Sequence, residues 1–139
     1  MTAQKIVVET IVAAPIAVVW RTYVTPADIK QWNAASDDWH TTESAVDLRE
    51  GGIFSSRMEA KDGSAGFDFT GTYTRVVDQK MIGYTMDDGR AVKVEFDEGA
   101  EGVLVKETFE AETQNDVELQ RKGWQAILDN FARHVEMKR

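Results

Sequence analysis

The chain has 139 residues and a net charge of −8 at pH 7, from 16 Lys and Arg residues against 24 Asp and Glu residues. The length fits one domain, so residues 1–139 are predicted to form a single domain, and the acidic balance argues against nucleic acid or an anionic membrane surface as a partner. The sequence has no cysteine, which excludes disulfides, thiolate metal sites and cysteine nucleophiles.

The N-terminal segment predicts one strand followed by two short helices. Residues 5–12 (KIVVETIV) are rich in β-branched residues and predict a strand. Pro15 suits the first turn of a helix, which the apolar residues continue to about residue 24. Thr25 predicts an N-cap, and the proline after it predicts the first residue of a second helix over residues 26–32.

The middle of the chain predicts a run of strands. Residues 33–40 are polar and irregular, and they are predicted to form a loop. Apolar and polar residues then alternate between turn signals, which is typical of strands. The predicted strands cover residues 41–48, 53–60, 66–77, 81–86, 90–96 and 103–111. The Asp62-Gly63 pair is a strong hairpin signal between two of them.

The C-terminal segment predicts one long helix. Asn115 is predicted to be the N-cap, and Glu118 follows three residues later, as in a capping box. The apolar residues fall at helical spacing on one face. They are Trp124, Ile127, Leu128, Phe131 and Val135.

The order of elements predicts an α+β fold. Consecutive strands with short turns form an antiparallel meander, here of six to seven strands, with one apolar face to cover. The long C-terminal helix carries the one large apolar stripe available to cover that face. A curved sheet wrapped round a long helix can leave a cavity between the two.

Short motifs in this order resemble those of a known superfamily. They are Ala14-Pro15 with Val19-Trp20, Thr25-Pro26 with Ile29 and Trp32, Asp47-Leu48-Arg49 with Gly51-Gly52 and Phe54, Phe69-x-Gly71-x-Tyr73, and Gly123-Trp124 with Leu128. With them the chain resembles the START-like (SRPBCC, helix-grip) superfamily. The resemblance is greatest to the branch named for homologues of the activator of heat-shock-protein-ninety ATPase.

The resemblance implies a helix-grip fold with a small-molecule cavity between the sheet and the C-terminal helix. Members of the superfamily bind lipids, sterols, plant hormones and polyketides, and some are cyclases. The founding member of the branch is a co-chaperone with two domains, of which a chain of this length is expected to hold one. The branch has no shared catalytic motif, so the resemblance carries function by analogy of fold alone.

The side chains predicted to bind a ligand lie on the central strands and on the last helix. They are Ser56, Met58, Phe69, Tyr73, Tyr84, Met86, Trp124 and Leu128. Methionine adapts to irregular ligands, and tyrosine offers a hydroxyl within an apolar wall. Ser56 has the parity of an inward residue and would leave space there. The alternative for each of these residues is ordinary packing in a hydrophobic core.

Three charged residues have an uncertain direction. Glu107 shares a face with Val103 and Val105, so it points inward if they do, and an inward carboxylate would have a raised pKa. The alternatives are a position near the open end or pairing with an arginine. Arg75 shares the face of Tyr73 unless a bulge intervenes, and the face of Glu9 is ambiguous.

The sequence predicts neither a metal nor a cofactor. His40 and His134 are far apart, and the Asp37-Asp38 and Asp87-Asp88 pairs lack the spacing of a calcium loop. There is no phosphate loop, dinucleotide fingerprint or nucleophile elbow. The N-terminal residues MTAQK contain no apolar signal segment, which predicts a cytoplasmic protein.

Three functional hypotheses remain. The first is binding of a small apolar or amphipathic ligand without catalysis. The second is an enzyme of the polyketide cyclase type, which an isolated carboxylate with a strongly shifted pKa in the cavity would favour. The third is a protein-interaction module with a chaperone as partner, which requires an exposed patch and a filled core.

Overall fold

The computed structural model describes residues 4–138, with only the backbone of the last of these. Residues 1–3 and Arg139 lie outside the described part. The localisation prediction rests partly on residues 1–3, and the predicted domain begins and ends outside the described residues. The described residues form β1 Lys5–Val12, α1 Ile16–Val24, α2 Pro26–Trp32, β2 Trp39–Val46, β3 Ile53–Ala60, β4 Gly66–Val77, β5 Met81–Met86, β6 Ala91–Gly99, β7 Gly102–Glu110 and α3 Val117–Lys138.

The sheet has seven strands in the order β1-β7-β6-β5-β4-β3-β2, and every neighbouring pair is antiparallel. Strands β2 to β7 form the predicted meander, because short turns join strands that are consecutive in sequence. Strand β1 completes the sheet beside β7. The two short helices follow β1, so the predicted α+β helix-grip fold is confirmed.

Helix α3 covers one face of the sheet. Leu128, Phe131 and Val135 are at most 1% exposed. The indole of Trp124 stacks on the ring of Phe109 in β7, with ring centroids 3.9 Å apart. Burial of this apolar stripe stabilises the helix far more than its intrinsic propensity does.

Three local predictions need correction. Strand β2 begins at Trp39 and ends at residue 46, because this polar segment pairs with β3; His40 therefore lies in a strand and not in a loop. Helix α3 begins after Asp116, whose carboxylate accepts a hydrogen bond from the N–H of Glu118. Asn115 is not the N-cap, since its backbone N–H and its side-chain amide both donate to the carboxylate of Glu112 in the preceding turn. Pro15 precedes α1 in extended conformation and is not inside its first turn.

Two glycines should respond in opposite directions to the same substitution. Gly123 lies inside α3, and a Cβ there would meet open space. We expect Gly123→Ala to raise the free energy of unfolding by about 1 kcal/mol, because alanine loses less backbone entropy in a helix. Gly63 also has open space around it, but its φ is +79°. We expect Gly63→Ala to lower the same free energy by about 1 kcal/mol.

Urea unfolding of the two variants and the parent chain measures both changes. Equal effects at the two positions would show that backbone conformation does not decide the outcome there.

Candidate ligand-binding site

A pocket of about 430 Å³ lies between the inner face of the sheet and helices α2 and α3. Strands β3, β4 and β5 supply the largest share of its wall, and Trp124 and Ile127 of α3 close one side. Small-molecule sites in proteins typically measure about 300 to 1,000 Å³. The pocket is therefore large enough for a ligand of ordinary metabolite size.

Eight of the described residues that line the pocket are aromatic. Phe54 lies at the centre, with its ring centroid 4.8 Å from that of Tyr84, 5.3 Å from that of Tyr73 and 5.5 Å from that of Phe69. Trp124 of α3 faces Phe69 at 6.4 Å, edge to face. Edge-to-face packing leaves ring faces available to a ligand while it stabilises the wall.

Most of the residues predicted to bind a ligand line this pocket. They are Ser56, Met58, Phe69, Tyr73, Tyr84, Met86 and Trp124. Leu128 does not line it, because one helical turn beyond Trp124 it is buried in the core and is 1% exposed. Binding by these side chains remains a prediction.

Three hydroxyl groups face the pocket without a hydrogen-bond partner among the described residues. Ser56, Tyr73 and Tyr84 are at most 7% exposed and line the pocket. Within residues 4–138, none of their hydroxyls forms a hydrogen bond with another protein group. Burial raises the pKa of Tyr73 to about 12 and that of Tyr84 well above its ordinary value, so both phenols stay protonated. They can donate hydrogen bonds to a ligand.

Glu107 of β7 points into the pocket and is 6% exposed. Its Oε2 accepts a hydrogen bond of 2.6 Å from the hydroxyl of Tyr23, at the end of α1. Burial raises the pKa of Glu107 from 4.5 to about 7, and the bond from Tyr23 offsets only part of this effect. The carboxyl group is thus poised between its neutral and ionised forms near neutral pH.

Tyr23 is a pocket residue that the sequence analysis did not select. Its ring packs against Trp32 and Phe131, with centroids 5.3 and 5.2 Å away, and its burial raises its pKa well above the ordinary value. In the sequence it belongs to the apolar face of α1. A tyrosine at the end of such a face, with a hydroxyl that needs a partner, is the one signal that was available.

The other two uncertain charges point outward. Between Tyr73 and Arg75 the pairing of β4 with β5 shifts by one residue, and this bulge turns Arg75 to solvent. Glu9 is exposed, because Ile6, Val8 and Val12 take the buried face of β1. Neither residue lines the pocket.

The mouth of the pocket is acidic. Phe67 at the start of β4 is 49% exposed and stands beside Asp68, while Asp87 and Asp88 lie in the turn after β5. Asp87 accepts a hydrogen bond from Thr70. Asp68 pairs with Arg57 at 3.4 Å and Asp88 pairs with Arg90 at 2.7 Å, so these groups leave the entrance an excess of one negative charge.

The described residues offer no metal centre. No group of three or more His, Cys, Asp or Glu side chains within residues 4–138 could hold a metal ion. His134 instead pairs with Asp28 of α2 at 3.0 Å, which joins α2 to α3.

In the same part of the chain, no helix is long and apolar enough to cross a membrane.

The fold and the pocket define a class of protein. A curved antiparallel sheet of seven strands that wraps round a long C-terminal helix is the START-like arrangement. The chain belongs to the family described as Activator of Hsp90 ATPase homolog 1-like protein, which matches residues 13–136. This membership supports a ligand-binding or activator-like domain in general terms.

Solved structures agree with this assignment. The NMR structure of an AHSA1-like protein from Aeromonas hydrophila is 52% identical, with a TM-score of 0.92 over 97% of this chain and 94% of that chain. A protein from Cytophaga hutchinsonii is 40% identical, with a TM-score of 0.80 over 98% and 93%. A protein from Nitrosomonas europaea shares the fold at 20% identity, with a TM-score of 0.83 over 97% and 96%. None of the curated proteins matches the chain.

Proposed function

We propose that this protein binds a small hydrophobic or amphipathic molecule, such as a lipid, a sterol or a polyketide-like compound, in the pocket, and that it does not transform it. The observation that carries the proposal is the pocket of about 430 Å³ with aromatic walls and a few polar groups. This combination is typical of small-molecule sites, in which apolar walls supply affinity and few polar groups set orientation.

The expected affinity is modest. Burial of about 300 Å² of apolar ligand surface contributes about 7 kcal/mol, from which the cost of association is subtracted. A gain of about 7 kcal/mol alone corresponds to a dissociation constant of about 10 μM, and the cost of association makes binding weaker than this. The hydroxyls of Tyr73 and Tyr84 would orient a ligand that carries oxygen.

A two-dimensional amide NMR titration tests the proposal. The probes are a mixed set of fatty acids, sterols and flavonoid-like polyketides. We expect shifts that cluster on Ser56, Met58, Tyr84, Met86 and Trp124. An absence of shifts at near-millimolar probe would overturn binding of these ligand classes.

Two adjacent serines provide a matched pair of variants for the same titration. Ser56 is buried and lines the pocket, whereas Ser55 lies on the opposite face of β3 and is half-buried. We expect Ser56→Leu to weaken binding at least tenfold, because the added methyl groups occupy ligand space. Ser55→Leu should leave binding unchanged. Equal weakening by both variants would place the ligand outside the pocket.

Acid–base catalysis is a second candidate, and Glu107 favours it. A buried carboxyl group with a pKa of about 7 can accept or donate a proton near neutral pH, as a cyclase requires. The titration separates the two functions. An enzyme would convert the polyketide-like probe and change the proton spectrum of the probe itself, whereas a binding protein would return it unaltered.

A chaperone partner is the remaining alternative. Family membership supports it in general terms, but the interaction hypothesis calls for a filled core and the pocket does not meet that condition. Its chemical basis would be the charge of −8, which favours a basic partner and salt-sensitive binding. This alternative moves to first place if no probe binds.

A further inference from the structure

The charged groups of the pocket are strongly asymmetric. Among the described residues that line it, four are acidic, namely Asp68, Asp87, Asp88 and Glu107, and Arg90 is the one cation; Asp68 also pairs with Arg57 of β3 at 3.4 Å. Arg90 is already engaged: its Nε donates to Asp88 at 2.7 Å, and its Nη1 donates to the backbone oxygen of Glu110 at 3.1 Å. Among the described lining residues, no cation is therefore free to meet an anionic ligand.

Glu107, the innermost acidic residue of the pocket, has one carboxylate oxygen that accepts no hydrogen bond from the described residues. Oε2 of Glu107 accepts the hydrogen bond from Tyr23, while Oε1 accepts none from residues 4–138. The neighbours of Glu107 in the sheet are Val8 of β1 and Val94 of β6, both apolar. A buried carboxylate without a cation is unfavourable, so a positively charged ligand group beside it would remove that penalty.

The walls suit the same kind of ligand group. The aromatic residues Phe54, Phe69, Tyr73, Tyr84 and Trp124 line the pocket. The face of an aromatic ring attracts a cation, most strongly where water is excluded. The acidic mouth would also attract a cation and repel a carboxylate before entry.

We infer that the pocket selects an apolar molecule that carries a protonated amine, which pairs with Glu107, over a molecule of the same shape that carries a carboxylate. This inference rests on the proposed function and narrows its ligand class. It disfavours free fatty acids and other carboxylate ligands. The apolar part of the ligand lies against the aromatic wall.

Three probes of one shape test the inference. They are 4-phenylbutylamine, 4-phenylbutan-1-ol and 4-phenylbutyrate, which differ only in an ammonium, hydroxyl or carboxylate end. We expect amide NMR titrations at pH 8 to show at least tenfold tighter binding of the amine than of the carboxylate, with the alcohol between them.

The pH dependence provides a second readout. The affinity for the amine should rise between pH 5.5 and pH 8.5, because Glu107 becomes ionised in this range while the amine stays protonated. The groups near Glu107 do not confuse the result: burial holds the pKa values of Tyr23 and Tyr84 well above the range, and the pKa of Tyr73 is about 12. The affinity for the alcohol should change little.

A pair of variants isolates the carboxylate. Glu107→Gln keeps an acceptor for Tyr23 and nearly the same shape. In this variant the affinity for the amine should lie within about threefold of the affinity for the alcohol, and the affinity for the amine should no longer depend on pH. Glu98→Gln makes the same charge change at an exposed position of β6 and should preserve the ranking.

The outcomes are distinct. Equal affinities for the three probes would overturn selection of an amine and leave the proposed binding function intact, as would tightest binding of the carboxylate. An unchanged ranking in Glu107→Gln would show that Glu107 is not the determinant. No shift with any of the three probes would also overturn selection of an amine, while the titration with fatty acids, sterols and flavonoid-like polyketides decides the proposed binding function.

Discussion

Replacing Phe131 with alanine is expected to lower the free energy of unfolding by about 4 kcal/mol. The side chain is fully buried on α3, and its ring centroid lies 5.0 Å from that of Trp32 and 5.2 Å from that of Tyr23. It therefore joins the long helix to both short helices. Its removal loses apolar burial and leaves a cavity that these rigid rings fill poorly.

Urea unfolding at pH 7 measures this loss, with Leu119→Ala as the control. Leu119 lies on the same helix but is 60% exposed, so its truncation should change the free energy of unfolding by no more than about 0.5 kcal/mol. Domains of this kind are stable by about 5 to 15 kcal/mol, so the Phe131 variant should still fold. Equal losses in the two variants would contradict the assignment of Phe131 as the link between the helices.

The strands that alternate cleanly were predictable from sequence. The bounds of β3 and β4 agree with the prediction, because apolar and polar residues alternate on both sides of the Asp62-Gly63 turn. The same alternation placed Ser56 and Met58 on the buried face. A period of two residues determines the side of the sheet directly, without any knowledge of distant contacts.

Bulges and capping contacts were not predictable in the same way. One extra residue after Tyr73 reverses the parity of Arg75, and the sequence contains no unambiguous signal for it. Asn115 and Asp116 are both good capping residues, and the choice between them depends on where Glu112 binds. Such choices rest on single hydrogen bonds.

The polar centre of the site depends on a contact between distant parts of the chain. Tyr23 and Glu107 are 84 residues apart in sequence, and their hydrogen bond forms only when α1 packs on β7. Helical spacing likewise places Leu128 on the face of Trp124, but not at the same depth. Pattern therefore predicts which face a residue takes, while the fold decides which residues meet.

The titration of Glu107 alone should lower the free energy of unfolding by about 2 to 3 kcal/mol as the pH rises from 5 to 9. The pKa of this group is about 7 in the folded state against an ordinary value of 4.5. Between pH 5 and pH 9 the folded state binds more protons at Glu107 than the unfolded state does, so the free energy of unfolding declines as pH rises. The decline is complete near pH 9, where Glu107 is ionised in the folded and the unfolded state alike.

Glu107→Gln removes this titration and keeps the acceptor for the hydroxyl of Tyr23. The remaining carboxylates titrate alike in the variant and the parent, so the difference between their free energies of unfolding isolates Glu107. We expect the variant to gain about 2 to 3 kcal/mol relative to the parent from pH 5 to pH 9 in urea unfolding experiments. Glu98→Gln should run parallel to the parent, because that side chain is exposed. If the free energy of unfolding of Glu107→Gln also changed with pH in parallel with the parent, burial would not raise the pKa of Glu107 in the folded state. The physical basis for amine selection would then be lost, because a carboxylate that is already stable has little to gain from a cationic ligand.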